Sequence, residues 1–144
     1  MKKLILIVVC FVFAGMNAQD TEVRKAIDIF FEGFHERDTV KMQSVFAKEI
    51  VLHSIAEGKY GGTLSVESAV GLTQSIASIP KNVTFQEKLL AYKILVDGSL
   101  AHVWTPYEFY INGKLSHSGV NSFVLFKAKD SWRITYCIDT RQQP

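Results

Sequence analysis

The sequence predicts an α+β domain in which three helices of the N-terminal half close a curved antiparallel sheet. Two observations predict this fold class. Apolar residues recur at helical spacing in the first half of the chain, whereas the second half consists of long β-rich runs separated by tight-turn signals. We expect four long strands and one short strand, curled so that the helices close a conical pocket at the wide end of the sheet.

The first residues are typical of a secretory signal peptide. Lys2 and Lys3 precede an unbroken apolar run over residues 4–13, and small residues follow up to Ala18, after which we expect cleavage. A membrane-spanning helix needs about 20 apolar residues, and this run is shorter. We therefore expect an exported bacterial protein, periplasmic or secreted, with one domain over residues 19–144 and no membrane span after removal of the leader.

Removal of this leader changes the charge and the cysteine content. The whole chain has 16 basic and 14 acidic residues; Lys2 and Lys3 leave with the leader, so the mature domain has 14 of each. A neutral domain lacks the basic surface that nucleic-acid binding requires, and we expect no such partner. Cys10 also leaves, so Cys137 remains alone and an intramolecular disulfide is excluded.

Two helices are expected before the first strand. Asp20 or Thr21 is a suitable cap for the first, and its apolar stripe ends near His35. Asp38 or Thr39 starts a shorter second helix. The stripe of the first helix consists of Val23, Ala26, Ile27, Phe30, Phe31 and Phe34.

A short strand and a third helix follow. The strand is expected at residues 50–55, and a turn or short hairpin arm at 60–63. Ser65 is expected to cap the third helix, with Glu67 in its first turn, and Pro80 stops that helix.

The second half of the chain is a predicted strand meander. Asp97-Gly98 and Asn112-Gly113 are strong hairpin signals, because both central residues of a type I′ turn need positive φ. Pro106 lies inside the second long strand, where we expect a bulge or an edge, since proline donates no ladder hydrogen bond. The four long strands are expected at residues 85–96, 100–111, 115–126 and 132–138.

Short motifs add to this order of elements. They are Arg37-Asp38 with Val45-Phe46-Ala47 and Ile50-Val51-Leu52-His53, then Asn112-Gly113-Lys114 with residues 117–123, and finally Trp132-Arg133-Ile134 with Ile138-Asp139-Thr140-Arg141. With them, the chain from about Asp20 to Arg141 resembles the nuclear-transport-factor-2-like superfamily, nearest its SnoaL-like or lumazine-binding branch. The resemblance implies a cystatin-like roll. That superfamily includes isomerases, cyclases, dehydratases, epoxide hydrolases, binding-only proteins and a transport factor, so function depends on the site.

The third long strand carries the first group of candidate site residues. Strand alternation places His117, Asn121 and Phe123 on one face, and the resemblance implies that this face lines the pocket. His117 is a candidate acid, base or hydrogen-bond donor on the same face as Asn121. The alternative is a hydrogen-bonded core histidine and a structural asparagine.

The first and last strands carry further candidates. The resemblance implies that His53 faces the cavity, although a lone histidine among apolar residues can also be structural. Asp139 is the best candidate for a catalytic carboxylate, and Tyr136 or Tyr92 can supply a phenol. Alternation places Asp139 on the face opposite Tyr136, which favours a structural or interface pair between Asp139 and Arg141.

The second long strand carries an aromatic group. Trp104, Tyr107 and Tyr110 surround Pro106, and such a group suits a planar ligand, core filling or a dimer face. Trp104 and Tyr107 are our ligand-binding candidates from this strand. Because proline can shift the register, the sequence leaves open which of them share a face.

Several site classes lack support in the sequence. The four histidines form no i, i+4 pair, so we expect no metal site. The chain contains no glycine-rich phosphate loop and no G-x-S-x-G turn, so we expect neither a nucleotide cofactor nor a hydrolase triad.

Three functions follow from these observations. The first is binding of a small apolar or aromatic molecule in a conical pocket, without a cofactor. The second is an isomerase, cyclase or dehydratase that uses His117, His53 or Asp139. The third is a homodimeric interaction module that pairs through the exposed face of its sheet.

Overall fold

The computed structural model describes the backbone of residues 2–144 and the side chains of residues 18–144. The predicted leader, residues 1–18, lies almost wholly outside the described side chains, so its cleavage stays a prediction. In the described part of the chain, no helix has the length and apolar character of a transmembrane span.

Three helices are present in the described residues: α1 (Lys2–Glu36), α2 (Thr39–Gln43) and α3 (Ala69–Ser78). The predicted start of the first helix at Asp20 or Thr21 is wrong, because α1 continues through both residues. No glycine or proline lies between residues 16 and 32, so the sequence contains nothing that breaks the helix there.

Of the two caps predicted for the shorter helices, one is confirmed and one is wrong. Asp38 caps α2 as predicted, and its carboxylate accepts a hydrogen bond from the Lys41 backbone N–H at 2.9 Å. The cap predicted at Ser65 is wrong. Ser68 caps α3 and accepts from the Gly71 N–H at 2.9 Å, because Ser65 is part of a strand instead.

The helices cover a seven-stranded sheet of order β2-β1-β7-β6-β5-β3, with β4 also paired to β5. The sheet is curved and open, and all pairs are antiparallel except β1 with β7. The α+β prediction is confirmed, but the predicted strand at 85–96 is two strands, and the predicted short strand is one arm of a long hairpin. The strands are β1 (Phe46–Gly58), β2 (Gly61–Glu67), β3 (Phe85–Leu89), β4 (Lys93–Asp97), β5 (Leu100–Ile111), β6 (Lys114–Ala128) and β7 (Ser131–Arg141).

The break between β3 and β4 lies opposite Pro106. The Pro106 carbonyl accepts from the Leu90 N–H at 2.9 Å, on the side of β5 that faces this break. Residues 90–92 lie opposite residues 105–106, so one extra residue bulges out where proline offers no N–H. The irregularity expected at Pro106 is therefore present, on the partner side of the ladder.

The core lies between α1 and the concave face of the sheet. Phe30 and Phe31 each pack edge-on against Phe123 of β6, at ring-centroid distances of 6.0 and 6.1 Å. Burial of each such side chain stabilises the fold by about 1.5–3 kcal/mol. The aromatic stripe of α1 fixes how the helix lies across the sheet, and a cavity remains beside it.

Candidate functional site

A bulge in β7 decides which side chains enter this cavity. Leu125 pairs with Ile134 and Val124 with Tyr136, so Thr135 is an extra residue on β7. Trp132 and Ile134, which precede the bulge, face the core. After the bulge, each side chain lies on the face opposite to the one that unbroken alternation from Ile134 predicts. The sequence prediction that Tyr136 shares one packed face with Ile134 is therefore wrong.

The same bulge turns the polar end of β7 inward. Cys137, Asp139 and Arg141 line the cavity together. The carboxylate that alternation placed on the wrong face is thus the one that the backbone directs into the cavity.

The cavity has a volume of about 420 Å³ and lies between α1, α3 and the concave face of the sheet. Phenylalanines of α1 and of the sheet form most of its apolar wall, with Leu72 and Ile76 of α3. Its polar side chains come from six strands and α3: Ser54, Ser65, Glu67, Ser75, Glu87, Tyr107, His117, Asn121, Asp139 and Arg141.

Glu87 of β3 is the most perturbed acid in the cavity. Its Oε1 accepts a hydrogen bond from Asn121 Nδ2 at 2.6 Å, and its backbone N–H donates to His35 Nε2 at 3.0 Å. Burial is the main reason that the pKa of Glu87 is raised to about 7; the Asn121 hydrogen bond opposes this shift and the nearby Asp139 adds to it. Glu87 is therefore an acid that titrates near neutral pH.

Asp139 lies at the centre of a second polar cluster. Its Oδ2 accepts from Arg141 Nε at 2.8 Å and from the Tyr107 hydroxyl at 3.2 Å. The Tyr107 hydroxyl lies 2.8 Å from the Thr140 carbonyl as well. Burial, with Asp139 next, raises the pKa of Tyr107, so this phenol stays protonated and donates.

The Asp139–Arg141 pair lies between the cavity and solvent. The Asp139 side chain is 14% exposed, whereas that of Arg141 is 50% exposed. The pair therefore brings almost no net charge into the cavity and leaves the guanidinium near its mouth.

His117 is packed flat against the cavity wall. Its ring stacks on Phe109 at 4.8 Å between centroids, and Nδ1 lies 3.2 Å from Ser116 Oγ. Burial, followed by the Arg141 charge, lowers the pKa of His117. At neutral pH the ring is thus uncharged, with one nitrogen able to donate and one to accept.

Six of the eight predicted site residues line the cavity. Trp104 does not, because the register of β5 runs unbroken through Pro106 and puts Trp104 and Tyr107 on opposite faces. Trp104 is 45% exposed on the convex face, and Tyr136 also lies on that face. The six lining residues are His53, Tyr107, His117, Asn121, Phe123 and Asp139.

His53 borders the cavity without turning its ring into it. Strand alternation places its ring on the face opposite Leu52 and Ser54, which line the cavity. There His53 Nδ1 lies 2.9 Å from the Tyr136 hydroxyl. The two residues form a polar contact on the convex face, so we drop His53 as a candidate acid or base.

Sequence reasoning missed Glu87, although a signal was available. In β3, Phe85, Glu87 and Leu89 alternate with exposed residues and share the inner face. A carboxylate at a position where alternation expects an apolar residue is a candidate for a buried acid. Among the described residues, no group of three or more acids, histidines or cysteines is placed to hold a metal ion.

No protein-family model matches the chain, and no curated protein does either. Solved structures do match. A protein of unknown function from Mycobacterium tuberculosis aligns with a TM-score of 0.72 at 12% identity, covering 92% of this chain and 76% of that one. A candidate dehydratase of the NTF2-like family from Streptomyces avermitilis aligns with a TM-score of 0.67 at 18% identity, covering 89% and 99%.

A candidate aromatic ring hydroxylase from Novosphingobium aromaticivorans aligns with a TM-score of 0.65 at 14% identity, covering 86% of this chain and 89% of that one. A cystatin-like protein from Nostoc punctiforme gives 0.66 at 11% identity, covering 85% and 90%. At sequence identities this low, structural similarity shows the fold and says nothing about the activity. The chain therefore has the nuclear-transport-factor-2-like, or cystatin-like, fold.

Proposed function

We propose that this chain binds a small, largely apolar molecule with one polar group in the cavity beneath α1. The observation that carries the proposal is the division of the cavity wall. Phenylalanines of α1 and the sheet form an apolar side, while Glu87, Asn121 and Asp139 converge on the other. Ligand sites of proteins combine these two features, and a volume of about 420 Å³ is in their usual range.

A blocking variant tests this proposal. Ser75 of α3 lines the cavity, whereas Ala77 of the same helix is exposed away from it. Ser75→Trp should weaken binding of small aromatic compounds at least about tenfold, while Ala77→Trp should leave it unchanged. Thermal shift against a panel of neutral aromatic compounds gives the readout, and native mass spectrometry of the chain from its own host detects a bound ligand. A flat panel together with an empty protein contradicts the proposal.

An acid–base enzyme is the second candidate, and one specific observation favours it. Glu87 titrates near pH 7 in the same cavity as Asp139, which accepts hydrogen bonds from Arg141 and Tyr107. Two carboxyl groups in different environments are the arrangement that acid and base catalysis uses. His117 is a further proton carrier on the adjacent wall. The dehydratase name of the Streptomyces neighbour is compatible with this candidate.

Proton abstraction from 5-nitrobenzisoxazole, a planar probe that a base opens to a coloured phenolate, tests the second candidate. In the parent chain, we expect the rate of proton abstraction to rise through pH 7. Glu87→Gln should abolish this reaction. Asp139→Asn and His117→Ala test the other two groups. An unchanged rate in all three variants removes the enzyme proposal and leaves the binding proposal standing.

We also propose export, on the charge and apolar pattern of residues 1–18. Mass spectrometry of the protein isolated from the periplasm or medium should find a chain that begins at Gln19. A chain that keeps residues 1–18 in the cytoplasm contradicts the proposal.

Homodimer formation remains a further proposal. The convex face carries exposed apolar side chains, among them Val51 at 43%, Trp104 at 45% and Phe126 at 41%. Sedimentation of the chain and of Trp104→Glu tests it. A parent chain that stays monomeric at high concentration contradicts it.

A further inference from the structure

The hydrogen bond between Glu87 and Asn121 fixes which oxygen of the carboxyl group faces a ligand. Asn121 Nδ2 donates to Glu87 Oε1 at 2.6 Å, so Oε1 must be an acceptor. When the carboxyl group is protonated, its proton therefore lies on Oε2. Among the described residues, no hydrogen bond to Oε2 is present, so the O–H is available to a molecule in the cavity.

The other polar groups around Glu87 already have partners in the protein. Asp139 is bonded by Arg141 and Tyr107, and the Tyr107 hydroxyl also bonds the Thr140 carbonyl. The titratable groups that face the cavity or touch Glu87 are His35 of α1, Glu67 of β2, Tyr107 of β5, His117 of β6, and Cys137, Asp139 and Arg141 of β7.

Apart from the exposed Glu67 of β2, these groups leave the cavity without a spare fixed charge. Asp139 and Arg141 neutralise each other, and burial lowers the pKa of both His35 and His117, so neither is charged at neutral pH. Burial also keeps Cys137 as a thiol by raising its pKa. An ionic ligand would lose its hydration without gaining an opposite charge, except from ionised Glu87 or from the exposed Glu67 of β2.

We propose that Glu87 in its acid form donates a hydrogen bond from Oε2 to the carbonyl oxygen of an uncharged aromatic ligand. The inference rests on the proposed binding function and deepens it by naming the ligand class, aromatic ketones and aldehydes. The phenylalanine wall takes the ring of such a ligand, and Glu87 takes its oxygen.

The pH dependence of binding follows from this assignment. Above pH 7 Glu87 loses its proton, because its pKa is about 7, and the donor becomes a carboxylate that faces the carbonyl oxygen. Affinity for an aromatic ketone should then fall about tenfold between pH 6 and pH 8. An aromatic compound of the same shape without the carbonyl should show no such change.

Two fluorescent probes test the inference on the full chain. The ketone is 6-propionyl-2-dimethylaminonaphthalene, and its control is 2-dimethylaminonaphthalene, which lacks the carbonyl. Fluorescence titrations from pH 5.5 to pH 8.5 should show tenfold weaker binding of the ketone at pH 8 than at pH 6, and constant binding of the control. A cationic probe, 1-naphthylmethylamine, should bind more weakly than the ketone at pH 6.

Two substitutions at one position separate the donor from the charge. In Glu87→Gln, the amide oxygen can accept from Asn121 while Nε2 donates to the ligand at every pH. Ketone affinity should therefore persist and lose its pH dependence. Glu87→Met has a similar shape without a donor, and ketone affinity should fall to that of the control. Glu108→Gln changes a carboxylate on the opposite face of the sheet, and should leave the pH dependence intact.

The outcomes separate this inference from the binding proposal. If the ketone binds equally at pH 6 and pH 8, if Glu87→Gln keeps the pH dependence, or if the amine binds more tightly than the ketone at pH 6, the inference is wrong. If the ketone and its control bind equally at every pH, only the inference fails. If no probe binds at any pH, the cavity is not a site for aromatic molecules of this size and both proposals fail. Urea unfolding confirms that each variant is folded, and Glu87→Gln alone still decides if Glu87→Met does not fold.

Discussion

Replacement of Glu87 by glutamine should stabilise the chain at high pH and leave it nearly unchanged at low pH. The pKa of this carboxyl group is raised from 4.5 to about 7, mainly by burial. Below pH 4.5 both the folded and the unfolded chain hold the proton, so the acid carries no penalty. As the pH rises towards 7, the unfolded chain releases the proton and the folded chain keeps it, so folding loses free energy.

The size of the effect follows from the same values. A difference between 4.5 and about 7 corresponds to about 3 kcal/mol at about 1.4 kcal/mol per pH unit. Water that enters the cavity weakens the penalty, so we expect about 2 kcal/mol at pH 8. Glutamine keeps the acceptor for Asn121 and carries no charge, so the variant lacks the penalty at every pH.

Urea unfolding of the parent chain and of Glu87→Gln at pH 4, 5, 6, 7 and 8 measures this difference. The free energy of unfolding of the variant, relative to the parent, should increase from pH 5 to pH 7 and level off by pH 8. Glu108→Gln, on the opposite face of β5, is the matched control and should show no such trend. A difference between parent and Glu87→Gln that stays constant from pH 4 to pH 8 would refute the assignment of Glu87 as a buried acid.

Three further substitutions test particular contacts by urea unfolding. Gly119→Ala should destabilise the chain by about 1–3 kcal/mol, because an added Cβ would clash with the Thr140 carbonyl oxygen; a neutral result contradicts this close approach. His35→Gln should reduce the loss of stability below pH 6.5, because the lowered pKa of His35 means that its protonation at low pH favours the unfolded chain. The glutamine amide oxygen can still accept from the Glu87 N–H. Equal loss of stability at low pH in parent and variant contradicts this prediction. Ser68→Ala should cost about 1 kcal/mol by removing the cap of α3, whereas a cost at Ser65→Ala of the same size would contradict the assignment.

The fold was predictable because the spacing of apolar residues differs between helices and strands. The aromatic stripe of α1 and the hairpin signals at Asn112-Gly113 each follow from local chemistry, and Asn112 and Gly113 have φ values of 49° and 76° as a type I′ turn requires. The concave face of β6, with Asn121 and Phe123 buried, was predictable for the same reason.

The site was predictable only in part, because bulges and strand ends depend on tertiary pairing. Alternation gave the wrong face to Asp139, since nothing in the residues around Thr135 marks it as the extra residue of a bulge. Ser65 looked like a helix cap, since a serine before an apolar pattern fits both a cap and a strand. Ser65 lies in a strand because it pairs with Ser54 of β1.

The bulge at Thr135 makes the chemistry of the cavity depend on how β7 pairs as well as on which residues it contains. Deletion of Thr135 would remove only the extra residue and leave Cys137, Asp139 and Arg141 directed inward, because Tyr136 would still pair with Val124. If β7 instead kept Thr135 and lost the bulge, Tyr136, Ile138 and Thr140 would face inward and the ion pair would leave the cavity. Proteins of this architecture can therefore change the polarity of their interior through strand pairing, without a point substitution.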